Sequence, residues 1–196
     1  MFAKKLAIAA TLLCASAAQA STVFSDTFNG ETDALNATSF INGWTVGGGT
    51  VDIIGPTGGY DFLPGNGYYI DLDGSSWSAG TFANSVAVTG GQTYTLSFSL
   101  AGNQRGYADD SVTVNFGSSS SVITRSSADG FTTFSLSYTA AATGSAAFSF
   151  HNAGGDNVGA LLDNVTITAV PEPTTYGMLL AGLGLVGAAA RRRRNG

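Results

Sequence analysis

The sequence predicts an all-β fold, an antiparallel jelly-roll sandwich of eight to ten strands set between two processing segments. Three observations predict it. Between Ser21 and Ala169 apolar residues recur at every second position in short runs, with almost no helical spacing. Gly, Asn, Asp and Ser separate the runs, as tight turns require. Each run is apolar on one face only, so two sheets must bury those faces against each other.

The strands can be taken in order. A first is expected near Val23 to Phe28, then "TVDII" (Thr50 to Ile54), "GYYIDLDG" (Gly67 to Gly74) and "TFANSVAV" (Thr81 to Val88). The clearest is "TYTLSFSL", where Tyr94, Leu96, Phe98 and Leu100 share one face and Thr95, Ser97 and Ser99 the other. "SVTVNF" aligns Val112, Val114 and Phe116; "FTTFSLSY" aligns Phe134, Leu136 and Tyr138; "AAFSF" aligns Phe148 with Phe150. "ALLDNVTITA" (Ala160 to Ala169) closes the set. "GSSSS" (Gly117 to Ser121) reads as a turn or loop, and no repeat of 20 to 50 residues suggests a propeller or solenoid.

The chain of 196 residues is one domain's worth plus processing segments. Lys4 and Lys5 lie at one end and Arg191 to Arg194 at the other, leaving only Arg105 and Arg125 between. Residues 21–170 hold twelve of the thirteen acids against those two arginines, a net charge of −10. Such a body repels phosphate backbones, which excludes nucleic acid as a partner. It is compatible with divalent cations and with neutral glycans.

At the N-terminus a basic start (Lys4, Lys5), an apolar run from Leu6 to Leu13 and the Ala18-Gln19-Ala20 site compose a secretory signal. Signal peptidase would cut between Ala20 and Ser21, giving a signal segment over 1–20. Cys14 leaves with it, so the mature chain would have no disulfide. At the C-terminus Tyr176 to Ala190 is uncharged on every face and stops at Arg191, Arg192, Arg193 and Arg194. Residues 176–190 are expected to form a transmembrane helix, short at ~22 Å against a ~30 Å hydrocarbon core, with the arginines as a cytoplasmic stop. The body would then sit outside an inner membrane. "GLGLVG" (Gly182 to Gly187) matches a dinucleotide fingerprint, but the chain ends before the acid that pattern needs.

Pro171-Glu172-Pro173, the apolar segment and the arginine cluster together resemble the PEP-CTERM sorting signal of Gram-negative bacteria. That resemblance covers residues 170–196 and implies processing by an exosortase near the Pro-Glu-Pro motif, then a role at the cell surface or in a matrix associated with exopolysaccharide or biofilm. Pro171 and Pro173 also end the preceding strand and hold the junction extended.

The body (21–169) is similar to galactose-binding-like β-sandwiches, many of them carbohydrate-binding modules, through "SDTFNG", "NGWTV", "GQTYTLSFSLAGN" and "GALLDNVTIT". Alternation places Leu161, Asp163, Val165 and Ile167 on one face, turning a carboxylate toward the core, where it needs a partner or a metal. The resemblance implies that Asp163 helps hold a structural Ca²⁺, with Asp26 or Asn29 as partners. The alternative is that Asp163 caps a turn or accepts backbone hydrogen bonds. "DLDGS" (Asp71 to Ser75) does not fit an EF-hand, because Gly74 arrives at position four and Phe82 occupies position twelve; it reads as a strand end plus turn, with a cation site as the alternative.

Trp44, Trp77, Tyr60, Tyr68, Tyr69 and Tyr107 are candidates for stacking on sugar rings, with core packing as the alternative. Trp44, in "GWTV", belongs to the core; Trp77 and Tyr107, in polar Gly-rich loops, are the better glycan contacts. No catalytic residues are assigned. His151 is the only histidine, and Asp109-Asp110 or Asp71 and Asp73 are acids of turns. The reading is a non-catalytic exported surface or matrix protein that contacts polysaccharide. A carbohydrate-binding module with a structural calcium, and a glycoside hydrolase, are the alternatives.

Overall fold

The computed structural model describes residues 20–170 and 174–194. The signal segment up to Gln19, with Ala18, and the Pro171-Glu172-Pro173 motif lie outside the described residues; Ala20 is exposed and Ser21 opens the first strand. Residues Ala20–Val170 make one compact unit.

Twelve strands are described, where eight to ten were expected. They are β1 (Ser21–Asp26), β2 (Ala34–Ala37), β3 (Thr45–Gly47), β4 (Val51–Ile54), β5 (Tyr69–Asp71) and β6 (Thr81–Val88). The others are β7 (Thr93–Ala101), β8 (Asp110–Phe116), β9 (Ser119–Arg125), β10 (Thr132–Thr139), β11 (Gly144–Asn152) and β12 (Leu161–Val170). One sheet runs β10-β7-β12-β5-β4-β2 and the other β3-β6-β11-β8-β9. All pairs of these strands are antiparallel. β1 also pairs with β12: Leu161 and Leu162 face β5, while Val165 to Ala169 face β1.

The inward faces close over one apolar core. Leu96, Phe98 and Leu100 of β7 and Val165 and Ile167 of β12 meet Phe82, Val114, Phe116, Phe148 and Phe150 of the second sheet. Trp44 is core, as expected, its ring stacked on Phe82 at 4.1 Å.

Three expectations are corrected. "GSSSS" is not all loop: Gly117 and Ser118 turn a two-residue hairpin, and β9 starts at Ser119, paired with Phe116. Asp163 does not share the core face of Val165 and Ile167. A bulge between Asp163 and Thr166, with Asn164 at φ 52°, shifts the alternation, so Leu162, Val165 and Ile167 point inward. Leu161 belongs to a second, outer cluster with Ile54, Tyr69 and Ala101, and Asp163 lies opposite Ser99 on that outer side.

The third correction concerns the tail. A helix, α1 (Thr174–Arg194), does form, but no helix among the described residues is long and apolar enough to cross a membrane. Residues 174–190 rise only about 25 Å before the arginines, and glycines and alanines make up much of that length. The transmembrane span over 176–190, and the inner-membrane partner drawn from it, are therefore not upheld. Arg191 to Arg194 fill the last turn, where cations suit the helix dipole.

Candidate functional site

Strand parity builds the site. In β4, Val51 and Ile53 enter the main core, so Asp52 and Ile54 face outward; in β5, Ile70 points in and Tyr69 and Asp71 point out. Both strands are nonetheless buried on both faces, because the 55–68 loop and Phe131 cover the outer side. Tyr69 fastens that cover: its hydroxyl accepts from the amides of Phe62 (2.7 Å) and Leu63 (3.0 Å) and donates to Asp61 (2.9 Å). Burial pushes the Tyr69 hydroxyl above its usual range.

The uncovered remainder is a cavity of about 370 Å³. Asp52, Ile54 and Asp71 form its floor, and its walls carry Tyr60 and Phe62, Arg105 and Tyr107, Asn157 and Val158, with Leu35 and Ser75 at the margin. A smaller hollow continues past Leu35, Ile54 and Tyr60 toward Asp33 and Gly58, which extends the groove. Tyr60 and Tyr107 are 56% and 58% exposed, large apolar rings on the surface of a polar protein.

Arg105 is placed by several bonds. The buried Asn103 accepts from its amide at 3.0 Å, and the Asn103 carbonyl accepts from Arg105 Nε at 3.1 Å. Its guanidinium lies 4.5 Å above the Phe62 ring, and Nη2 donates to Asp71 Oδ2 at 2.7 Å. Asp71 Oδ1 accepts from the amides of Asp73 (3.1 Å) and Gly159 (3.0 Å). Burial raises the Asp71 carboxyl to about 7; Arg105 opposes the rise and Asp52 adds to it. Asp52 is held by Ser75, through its amide at 3.2 Å and its hydroxyl at 2.7 Å, and by the Asn36 amide at 2.6 Å.

Of the residues singled out from sequence, Tyr107 lines this groove and Trp77 does not, although Trp77 is 68% exposed. Asp26 is buried with both oxygens engaged, by the Phe28 amide at 2.8 Å and Trp44 Nε1 at 2.8 Å. Asn29 Oδ1 accepts from the Tyr68 amide at 3.1 Å. Asp163 is buried and accepts from its neighbour Asn164, amide at 2.6 Å and Nδ2 at 2.9 Å. Burial raises it to about 6, with the Asp26 charge adding. Among the described residues no three Asp, Glu, His or Cys side chains are grouped to hold a metal by themselves. Sequence reasoning passed over Arg105 and Asp52 and left Asp71 as an acid of a turn. One signal for Arg105 was available: it is one of two cations in a body of twelve acids.

The family model described as "Protein of unknown function (DUF642)" matches residues 23–168, and that of the PEP-CTERM protein-sorting motif matches residues 169–194. No curated protein matches the sequence. Similar solved structures include the CBM22-1–GH10 modules of Clostridium thermocellum endo-1,4-β-D-xylanase 10B complexed with xylohexaose. Identity is 19% and the TM-score 0.49, covering 77% of this chain and 29% of that one. The CBM22-1 xylan-binding domain of Paenibacillus barcinonensis Xyn10C is also similar, at 15% identity and a TM-score of 0.49, covering 80% of this chain and 99% of that one. The chain thus spans under a third of the CBM22-1–GH10 chain's length and nearly all of the xylan-binding domain's.

Proposed function

The chain belongs to the DUF642 family and carries a PEP-CTERM motif that marks it as exported, and from that premise we propose that its sandwich holds a polysaccharide in the outer groove as a surface or matrix component. One observation carries the reading: Tyr60 and Tyr107, more than half exposed on separate loops, flank a cavity whose polar floor is already hydrogen-bonded in place. A pyranose ring has an apolar face that an aromatic ring covers, and hydroxyls that fixed polar groups orient. Fixed groups lose little freedom on binding, which favours affinity. The groove extends past Tyr60 toward Asp33, which suits a chain of sugars better than a single one.

The reading is non-catalytic. Glycoside hydrolysis uses two carboxyl groups free to react, one as proton donor and the other as base or nucleophile. Here Asp71 is committed to Arg105 and two amides, and Asp52 to Ser75 and Asn36. The sorting partner of this reading is an exosortase acting at Pro171-Glu172-Pro173.

Retention of the full chain by a panel of polysaccharides tests it: xylan, β-glucan, galactan and exopolysaccharide from the native cells. Binding to at least one is expected, weakened about tenfold, ~1.4 kcal/mol, by Tyr60→Ala with Tyr107→Ala. Binding to none, or binding indifferent to both substitutions, would overturn the reading.

A further inference from the structure

Asp73 is 0% exposed, and neither of its carboxylate oxygens has a hydrogen-bond partner. Every other buried acid has partners. Asp26 is held by Trp44 and Phe28, Asp52 by Ser75 and Asn36, and Asp71 by Arg105 and Gly159. Asp110 accepts from Asn103 at 2.8 Å and Asn152 at 3.3 Å, and Asp163 accepts from Asn164. Buried carboxylates without partners are costly, and native structures seldom leave one.

The surroundings deepen the anomaly. Asp156 and Asp110 both act on Asp73 as like charges, and Arg105, the cation that acts on it, is tied to Asp71. The Gly155 amide favours the charged form of Asp73 without making a hydrogen bond of good geometry. The loop after β11 closes tightly over the carboxylate: a Cβ on Gly154 would lie 2.8 Å from Asp73 Oδ2. Two further carboxylates and a close backbone turn thus surround two unpartnered oxygens.

We propose that Asp73 anchors a site for a hard divalent cation of the calcium type, with Asp156 as second carboxylate and carbonyl oxygens of the Gly154–Gly155 turn completing the shell. Carboxylates alone do not complete such a site here, since no three acidic side chains are grouped as ligands. Calcium takes six to eight oxygens and accepts backbone carbonyls among them. The site is separate from Asp163 and Asp26, both of whose oxygens already have donors, whereas Asp156 commits only Oδ1, to the Val158 amide at 3.0 Å. It is also independent of the groove's ligand, because neither Asp73 nor Asp156 lines the groove.

The test is calorimetric titration of the EDTA-stripped full chain with CaCl₂, together with thermal unfolding. One Ca²⁺ per chain is expected, and at a hundredfold excess over Kd the Tm rises about 5 °C. Asp73→Asn should abolish both effects and Asp163→Asn should leave both. Absence of binding, binding that survives Asp73→Asn, or loss in both variants would overturn the site. Should Asp73→Asn not fold, Asp156→Asn decides: affinity at least about tenfold weaker supports the site, and unchanged affinity overturns it.

Discussion

Asp52 and Asp71 stand directly opposite each other on the antiparallel strands β4 and β5, so two carboxylates share one face beneath the groove. Like charges in that position destabilise a sheet. Arg105 compensates on the Asp71 side, at 2.7 Å. Arg105→Met should therefore cost about 3 kcal/mol at pH 8, where it strands a buried carboxylate. The loss should shrink at pH 5, because Asp71, already raised to about 7, is then neutral. Urea unfolding at the two pH values measures this. An equal loss at both would instead assign the effect to guanidinium packing on Phe62.

The same acids set the pH dependence of the whole domain. Burial raises Asp71 to about 7 and Asp73 and Asp163 to about 6, from an unfolded value of 3.8. Between pH 4 and 7 the folded state therefore binds more protons than the unfolded one, and stability falls as pH rises through that window. In EDTA, Tm should be several degrees higher at pH 5 than at pH 8, at roughly 2–4 °C per kcal/mol. A profile that rises toward pH 8 would contradict the burial of these groups.

Much of this fold was legible because alternation reports burial wherever one face of a strand is wet. Tyr94 to Leu100 and Val112 to Phe116 face the core as their spacing predicts. β9 was hidden because its sequence begins with serines and its Val122 points to solvent, leaving Ile123 alone against the core. The face of Asp163 was misread because a bulge at Asn164 inverts parity without a glycine to announce it. The groove was less legible still. Leu35, Tyr60, Arg105 and Asn157 come from four segments, and it takes the pairing of β2 with β4, of β4 with β5 and of β5 with β12 to bring them to one cavity. Composition could point to Arg105; it could not supply Asp71 as its partner.

Trp44 should matter through its nitrogen as well as its rings. Nε1 donates to the buried Asp26 Oδ2 at 2.8 Å while the indole stacks on Phe82. Trp44→Phe keeps an aromatic ring and strands the carboxylate oxygen, at a cost of about 1–3 kcal/mol beyond the lost volume. In a double-mutant cycle with Asp26→Asn the two effects should couple by at least about 0.5 kcal/mol. Strict additivity would mean the bond contributes nothing.

Trp77 holds φ 64° while 68% exposed, a backbone region in which bulky side chains are strained. Folding therefore gains little from this residue. Trp77→Gly should leave Tm within about 3 °C of the parent. Measured alongside glycan retention, the variant separates two roles. Unchanged Tm with weakened retention would make Trp77 a sugar contact outside the groove, whereas a large fall in Tm would make it a packing residue.

Processing at the tail has a structural limit that a mass measurement can read. Ser21 pairs with Ala169 and Val170 with Thr93, so β1 and β12 start and end beside each other at one end of the sheet. A cut before Ala169 would strip rungs from β12, while a cut within residues 171–174 would leave every rung in place. Exosortase processing at the Pro-Glu-Pro motif should therefore yield a released species from Ser21 to between Pro171 and Thr174. Its Tm should match that of the uncut chain. Intact mass spectrometry of medium and cell fractions measures the ends, and scanning calorimetry the stability. A native product that keeps Arg191 to Arg194 in every fraction would rule out the cut.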